Sequence, residues 1–320
     1  MTLKQYFLLS QPEYSTTSLF PAFMGILYAW YNSGTFRLGL SLLGLLTVVL
    51  FQLAISIRDN YLDYYVANNK NAEDTQVMAV GKENVPLKNV RFSYYLTGAV
   101  AFIICVFLVF QTSLTLLYIG LVGMIIGVLY TFGPIPISST PFGDVLIGVA
   151  YGFCIFTAMV YVNAFEVIQF DWLTIGQLIV ASIPTAITVM AISLANNICD
   201  LEEDVENGRF TLPYHIGIDK ALVVFKYFYY AGYLAIILSV IFGTFPRLVA
   251  LTLLTFPYVL KNIRIFMNEQ DKQTTFLTAI VNSFVIPVPL ILTFYMKTQA
   301  KKSAKSHYPW YHVGVKILNF

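Results

Sequence analysis

Charge is what this sequence has least of. Only 11% of its 320 residues are Asp, Glu, Lys or Arg, against about 25% in a typical soluble domain. That deficit argues against a soluble globular enzyme and equally against a disordered chain. Cysteine is scarce too. Cys105, Cys154 and Cys199 lie far apart, with no CxxC and no Cys/His spacing, so neither a zinc site nor a disulfide framework is indicated. Glycine, at 19 residues, is too sparse for a collagen-like repeat. The chain has no Gly-rich phosphate loop and no Ser/His/Asp arrangement. A net charge of +2 leaves no electrostatic footprint for nucleic acid, and none is expected as a partner.

What the chain does have is apolar surface. Hydrophobic residues make up 58% and aromatics 16%, with a mean hydropathy of +0.70. This composition predicts an all-α, polytopic protein of the cell membrane, crossing it several times and surrounded by lipid. At about 20 apolar residues per crossing, about nine spans are expected in one bundle. They fall near 16–33, 37–57, 90–110, 112–132, 143–163, 173–197, 221–242, 246–265 and 276–297. The spans must be helices, because lipid offers no partner for an unpaired backbone group. The apolar run from Leu19 lacks a small-residue cleavage site and reads as an uncleaved first span. One domain over residues 1–300 is expected, followed by a basic and aromatic tail over 301–320. The Tyr308-Pro309-Trp310-Tyr311 stretch there, flanked by His307 and His312, reads as an interfacial anchor.

The few charges are concentrated. Residues 58–89 carry Arg58, Asp59, Asp63, Lys70, Glu73, Asp74, Lys82, Glu83 and Lys88, and residues 196–220 carry Asp200, Glu202, Glu203, Asp204, Glu206, Arg209, Asp219 and Lys220. Both segments follow even-numbered spans and so belong on one side of the membrane. Their basic residues, with Lys4 and the Lys261/Arg264/Lys272 group, argue for the cytoplasmic side. The tail lysines Lys297, Lys301, Lys302 and Lys305 disagree, since nine spans place them on the other side.

The second segment reads Asn196-Asn197-Ile198-Cys199-Asp200-Leu201-Glu202-Glu203-Asp204. Asn196, Asp200 and Asp204 are spaced i, i+4, i+8, and Asn197 is i−3 to Asp200, so all four share one helix face. Stacked carboxylates repel unless a cation lies between them, and Mg²⁺ favours one or two carboxylates plus substrate phosphates. The alternative is a solvated helix cap. Against it, the polar face runs back into an apolar span at Asn196 and Asn197, where burying amides is expensive. The first segment, Asp59-Asn60-Tyr61-Leu62-Asp63, is a second and weaker face of the same kind. The two helix ends read as halves of one cleft.

These residues resemble the UbiA superfamily of intramembrane prenyltransferases, and within it the branch that prenylates 1,4-dihydroxy-2-naphthoate in menaquinone synthesis. The strongest match is residues 196–204 followed by Asn207-Gly208-Arg209 and Thr211-Leu212, similar to the branch's NNxRDxxxD, Gly-basic and Thr-Leu elements. A second is Tyr130-Thr131-Phe132-Gly133-Pro134-Ile135-Pro136 with Gly143-Asp144. The chain departs from the pattern in several places. Asp59-Asn60 reverses the family's Asn-Asp, and Asn69 stands where a distal Asp is expected. Gln11 replaces a basic residue, and His215 replaces the Arg of Thr-Leu-x-x-Arg.

The resemblance implies Mg²⁺-dependent transfer of a polyprenyl group from an allylic diphosphate to an aromatic acceptor, dihydroxynaphthoate, with loss of CO₂. It implies Asp63, Asp200 and Asp204 as the catalytic, metal-holding acids, with Asp59 beside them. Asn60, Asn196 and Asn197 are then expected to position phosphates or a metal-bound water. Arg209, Lys220 and Lys82 are expected on phosphate oxygens, Tyr130 in the cleft, and His215 on phosphate or acceptor. Other readings are a prenyltransferase for 4-hydroxybenzoate, homogentisate or haem, a non-catalytic quinone- or lipid-binding relative, and a secondary transporter.

Overall fold

A computed structural model describes residues 1–70, 78–131 and 135–307, with the side chains of 13, 63, 66–70 and 301–307 not included. Glu73, Asp74, Phe132, Gly133, Pro134 and the aromatic tail from Tyr308 therefore lie outside the described residues. Among the described residues every regular element is helical. In chain order they are α1 (Leu3–Ser10), α2 (Thr16–Ser33), α3 (Leu38–Lys70), α4 (Ala79–Lys82), α5 (Leu87–Gln111), α6 (Leu114–Thr131), α7 (Gly143–Gly148) and α8 (Phe156–Ala164). The second half holds α9 (Trp172–Cys199), α10 (Leu201–Glu206), α11 (Leu212–Ile216), α12 (Ile218–Ile241), α13 (Phe256–Asn268), α14 (Phe276–Val285) and α15 (Pro287–His307).

Among the described residues, eight helical segments are long and apolar enough to cross a membrane. All nine expected crossings are helical, and the ninth is α2, whose 18 residues include Thr16, Thr17, Ser18, Asn32 and Ser33. Those polar groups dilute its hydropathy, and α2 buries nine residues, among them Met24, Leu27 and Tyr28. It is a helix packed in protein more than in lipid. The chain is thus a multi-pass membrane bundle.

Helix α9 is the centre. Two-thirds of its apolar window is buried (67%), whereas only 6% of α6's is. α6 and α5 instead expose Tyr118, Ile125, Ile103 and Phe110, which in a membrane face acyl chains. The α5/α6 corner falls at Thr112–Ser113, where the Ser113 hydroxyl lies 2.5 Å from that of Tyr161. At Val149–Ile155 the crossing between α7 and α8 is a π-helical turn, an irregularity often tied to function.

Gly152 in that turn sets the distance to α9. A Cβ at residue 152 would lie 2.1 Å from Ala186 Cβ and 2.4 Å from its Cα. Backbone cannot yield as a side chain can, so Gly152→Ala is expected to destabilise by about 1–3 kcal/mol or more. At Gly148 the added carbon meets only the flexible Met190 side chain, and Gly148→Ala is expected to cost well below that. Thermal unfolding of the two variants in detergent checks the contrast.

The ends of the bundle differ. At one end the α1 carbonyl of Leu9 meets Asn60 of α3, and Lys272 after α13 meets Asp200 at the end of α9. At the other, Trp30 of α2 contacts Tyr295 of α15 with ring centroids 6.2 Å apart. The last helix therefore runs toward the end opposite the acids, as an odd number of crossings requires.

Candidate functional site at the polar end of the bundle

Hydrogen bonding from residue i to i−4 continues past the end of α9, although Asp200 itself leaves helical dihedrals (φ −97°, ψ 13°). Asp200 N donates to Asn196 O, Asp204 N to Asp200 O and Arg209 N to Asp204 O. The i, i+4 spacing of Asn196, Asp200 and Asp204 is therefore real, and these residues line up on one rim. Gly208 then turns the chain back with φ +73°, a left-handed conformation that glycine adopts without steric cost. The turn brings Arg209 Nη1 to 3.3 Å from Asp204 Oδ1.

Asp204 is buried at 4% exposure, and its Oδ2 has no hydrogen-bond partner. Burial pushes its carboxyl above the usual carboxylate range, with Asp200 and Glu203 adding to the rise and Arg209 and Lys272 opposing it. An orphaned, desolvated oxygen of this kind fits a hard divalent cation, which takes oxygen ligands. Asp200 Oδ2 accepts from Asn196 Nδ2 at 2.9 Å and also pairs with Lys272.

The rest of the cleft comes from elements distant in sequence. Asp144, at the start of α7, is 1% exposed. Its Oδ1 accepts from Ser193 Oγ at 2.6 Å and from Asn197 Nδ2 at 2.8 Å. Tyr130, at the end of α6, neighbours Ser193 and lies within electrostatic reach of Asp144, Arg209 and Asp59. Tyr151 of the π turn likewise feels Asp59 and Tyr130. Asp59 of the first acidic segment thus lies within electrostatic reach of both Tyr130 and Tyr151.

The individual expectations fare differently. Asn196 touches Asp200, Asn197 touches Asp144 and Arg209 pairs with Asp204, while Asp59 lies within electrostatic reach of Tyr130. Asn60 is turned elsewhere, because its amide donates to Leu9 O and Ser56 O, both at 3.1 Å. Residues 59 and 60 stand about 100° apart around a helix, so only one can face the cleft. Packing of α1 on α3 gives that place to Asp59, which also pairs with Arg58 at 3.5 Å. Asp59→Ala is thus expected to lower prenyl-transfer activity about 10-fold or more, and Asn60→Asp to leave kcat within about threefold while loosening α1. Kinetics of the two purified variants check this.

Lys82, Lys220 and His215 are exposed; His215 stacks edge-on with Tyr214 at 5.3 Å, and the described residues show no ion pair from these three to the rim acids. The Asp63 side chain lies outside the described residues. Among the described residues, which leave out the Asp63 side chain, no three acids stand close enough to hold a metal between them, so Asp59, Asp200 and Asp204 form no ready cage. The physical reason is visible at Asp200 and Asp204, whose oxygens are drawn to Lys272 and Arg209. Sequence reasoning left Lys272, Asp144, Ser193 and Tyr151 out of the site. Ser193 could have been found, being i−4 to Asn197 on the same face.

Comparison with known proteins places this architecture. The model of the UbiA prenyltransferase family matches residues 18–286. The 1,4-dihydroxy-2-naphthoate octaprenyltransferase of Bacillus subtilis is 28% identical over 298 residues, covering 90% of this chain and 92% of that protein. The UbiA prenyltransferase domain-containing protein 1 of Xenopus tropicalis is 26% identical over 284 residues, covering 88% and 79%. Among solved structures, the apo UbiA homolog from Aeropyrum pernix superposes with a TM-score of 0.68 at 18% identity, over 88% of this chain and 98% of that one. A UbiA homolog from Archaeoglobus fulgidus bound to DMAPP and Mg²⁺ gives 0.65 at 12% identity, over 91% and 99%. With a family match over most of its length and a fold shared along nearly all of it, the chain belongs to the UbiA prenyltransferase family and is a membrane-embedded, prenyl-transferring enzyme.

Proposed function

We propose that this enzyme transfers a polyprenyl group from an allylic diphosphate to 1,4-dihydroxy-2-naphthoate, releasing CO₂ and diphosphate to give demethylmenaquinol, the reduced form of demethylmenaquinone. The observation that carries the reading is the buried Asp204 at the end of the bundle, whose Oδ2 has no partner while Arg209 stands 3.3 Å from its Oδ1 and Asp200 lies one turn away. A desolvated carboxylate of this kind suits a divalent cation that carries a diphosphate, and Asp59 of the other acidic helix end lies within electrostatic reach of Tyr130 and Tyr151. The choice of acceptor is supported by the Bacillus subtilis relative. The cleft faces the cytoplasm in this reading, as the lysines and arginines of its loops favour. Residues 1–300 form the catalytic unit in this reading, and residues 301–320 a basic and aromatic tail.

Asp200 and Asp204, with Asp59 and Asp63 from the opposite rim, are the residues that would hold magnesium. When bound there, the ion supplies Lewis-acid neutralisation of the diphosphate's charge. Arg209 donates to phosphate oxygens as a charge-assisted partner. Asn196 and Asn197 fix the substrate's position, Asn197 being held in turn by Asp144. The prenyl C–O bond then breaks, its electron pair leaving with the diphosphate. Tyr130 and Tyr151 present π faces to the allylic cation and shield it from water. The acceptor's carboxylate-bearing ring carbon forms the new C–C bond, and the electron pair of its bond to the carboxylate returns to the ring as CO₂ departs. No proton need be lost.

The test is an assay of the purified protein in detergent with Mg²⁺ and geranylgeranyl or longer diphosphates. Dihydroxynaphthoate, 4-hydroxybenzoate, homogentisate and haem are offered as acceptors. The expected result is one prenylated naphthoate product whose mass lacks a CO₂. Prenylation of another acceptor in preference, or a product that keeps its carboxylate, would contradict the assignment.

A further inference from the structure

Lys272 lies in the short loop between α13 and α14, 72 residues from Asp200 in sequence. The loop's own acid is engaged within the turn through one of its oxygens. Asp271 Oδ1 accepts from Thr274 N at 2.7 Å, Gln273 N at 3.1 Å and Thr274 Oγ1 at 2.5 Å. The Thr275 hydroxyl donates to Glu269 O at 2.7 Å and accepts from Asp271 N at 2.9 Å, closing the turn. The Lys272 ammonium, 5.3 Å from the centre of the Phe276 ring, is left to reach the rim. There it donates to Asn196 Oδ1 at 2.5 Å and pairs with Asp200 Oδ2. That oxygen is the one Asn196 Nδ2 also holds.

A lysine ammonium is a compact point charge. Here it occupies the position beside Asp200 that a metal ion would need, while one turn away Asp204 Oδ2 has no partner. Asp200 Oδ2 cannot serve an ammonium and a divalent ion at full strength together. We propose that Lys272 is a displaceable counter-ion. It neutralises Asp200 in the empty cleft, is expelled when a divalent cation binds, and then pairs with an oxygen of the incoming diphosphate. The exchange would couple metal entry to substrate capture. This rests on the metal–diphosphate reading above.

The pair is partly open to solvent, with side-chain exposures of 43% for Lys272 and 24% for Asp200. An exposed pair of this kind is easily outcompeted. Its removal should therefore change metal affinity by a factor of about two to five.

The experiment is an EPR titration of the full-length protein in detergent with Mn²⁺, without and then with inorganic pyrophosphate. Lys272→Met is expected to bind Mn²⁺ about two- to fivefold more tightly than wild type, and its Mn²⁺-loaded form to bind pyrophosphate more weakly. Lys272→Gln, which keeps a polar, hydrogen-bonding end without the charge, should show the same tightening. Lys272→Arg should stay near wild type for Mn²⁺. Unchanged or weaker Mn²⁺ binding in both neutral variants, while Asp200→Asn loses Mn²⁺, would overturn the counter-ion role and leave the metal site standing. No Mn²⁺ binding in wild type or either neutral variant would overturn the metal reading together with this inference.

Discussion

Asp200→Ala and Asp204→Ala are each expected to slow Mg²⁺-dependent prenyl transfer by about 10²–10³-fold, the scale of losing one preorganised charge-stabilising group. The reason is the leaving group. A diphosphate departs only if its developing charge is neutralised, and these two carboxylates, one turn apart on the same rim, are the described acids best placed to hold the ion that does so. The loss should appear in kcat as well as in kcat/KM, because the charge develops along the reaction coordinate. The double variant should be little worse than either single one, since both residues serve one ion. Structural damage should be small for Asp200→Ala, whose Lys272 and Asn196 partners reach solvent. Initial rates across Mg²⁺ concentrations, with a thermal melt of each variant, measure both effects. Wild-type rates in either variant would remove the metal role from the rim.

Asp144→Ala is expected to produce the largest combined loss of stability and activity. Asp144 is 1% exposed and accepts from both Ser193 and Asn197. Its removal strands two donors against the buried face of α9, at about 1–3 kcal/mol for each unsatisfied group. Asn197 would lose the bond that fixes its amide toward the cleft, so surviving protein should turn over at least about 10-fold more slowly. Asp144→Asn keeps an acceptor oxygen of the same shape and should recover most of the stability. Ser193→Ala removes one donor and leaves the other bond intact, so its cost should be the smallest of the three. Thermal unfolding in detergent alongside steady-state kinetics separates these outcomes. An Asp144→Ala protein as stable and active as wild type would show that the buried carboxylate organises nothing.

Much of this site was legible in the sequence because α9 states it in local terms. Asn196, Asp200 and Asp204 recur at the helical repeat, the repeat survives into α10, and burial of the adjacent Asn197 bears out the expectation that the polar face enters the bundle. The helices themselves were legible because long apolar runs in lipid have no other way to pair their backbones. α2 was placed correctly, yet its polar residues serve protein contacts that no hydropathy window registers. The first acidic segment was harder. Whether Asp59 or Asn60 faces the cleft depends on which of two neighbouring positions α1 takes, and Leu9 O decides it. Lys272 had no local signal at all, because its partner lies on another helix. Asp144 stood beside Gly143 in a stretch that resembled the family, but its role appears only once Ser193 and Asn197 are seen to close on it.

The central claim is that the α3 and α9 ends converge on one metal and one diphosphate. It is tested most directly by pulsed EPR of Mn²⁺ bound to the full-length protein with a non-reactive prenyl thiodiphosphate. The account expects phosphorus hyperfine coupling at the ion, lost or strongly weakened by Asp200→Asn from one rim and by Asp59→Ala from the other. Mn²⁺ that shows no phosphorus coupling, or coupling indifferent to both substitutions, would contradict it.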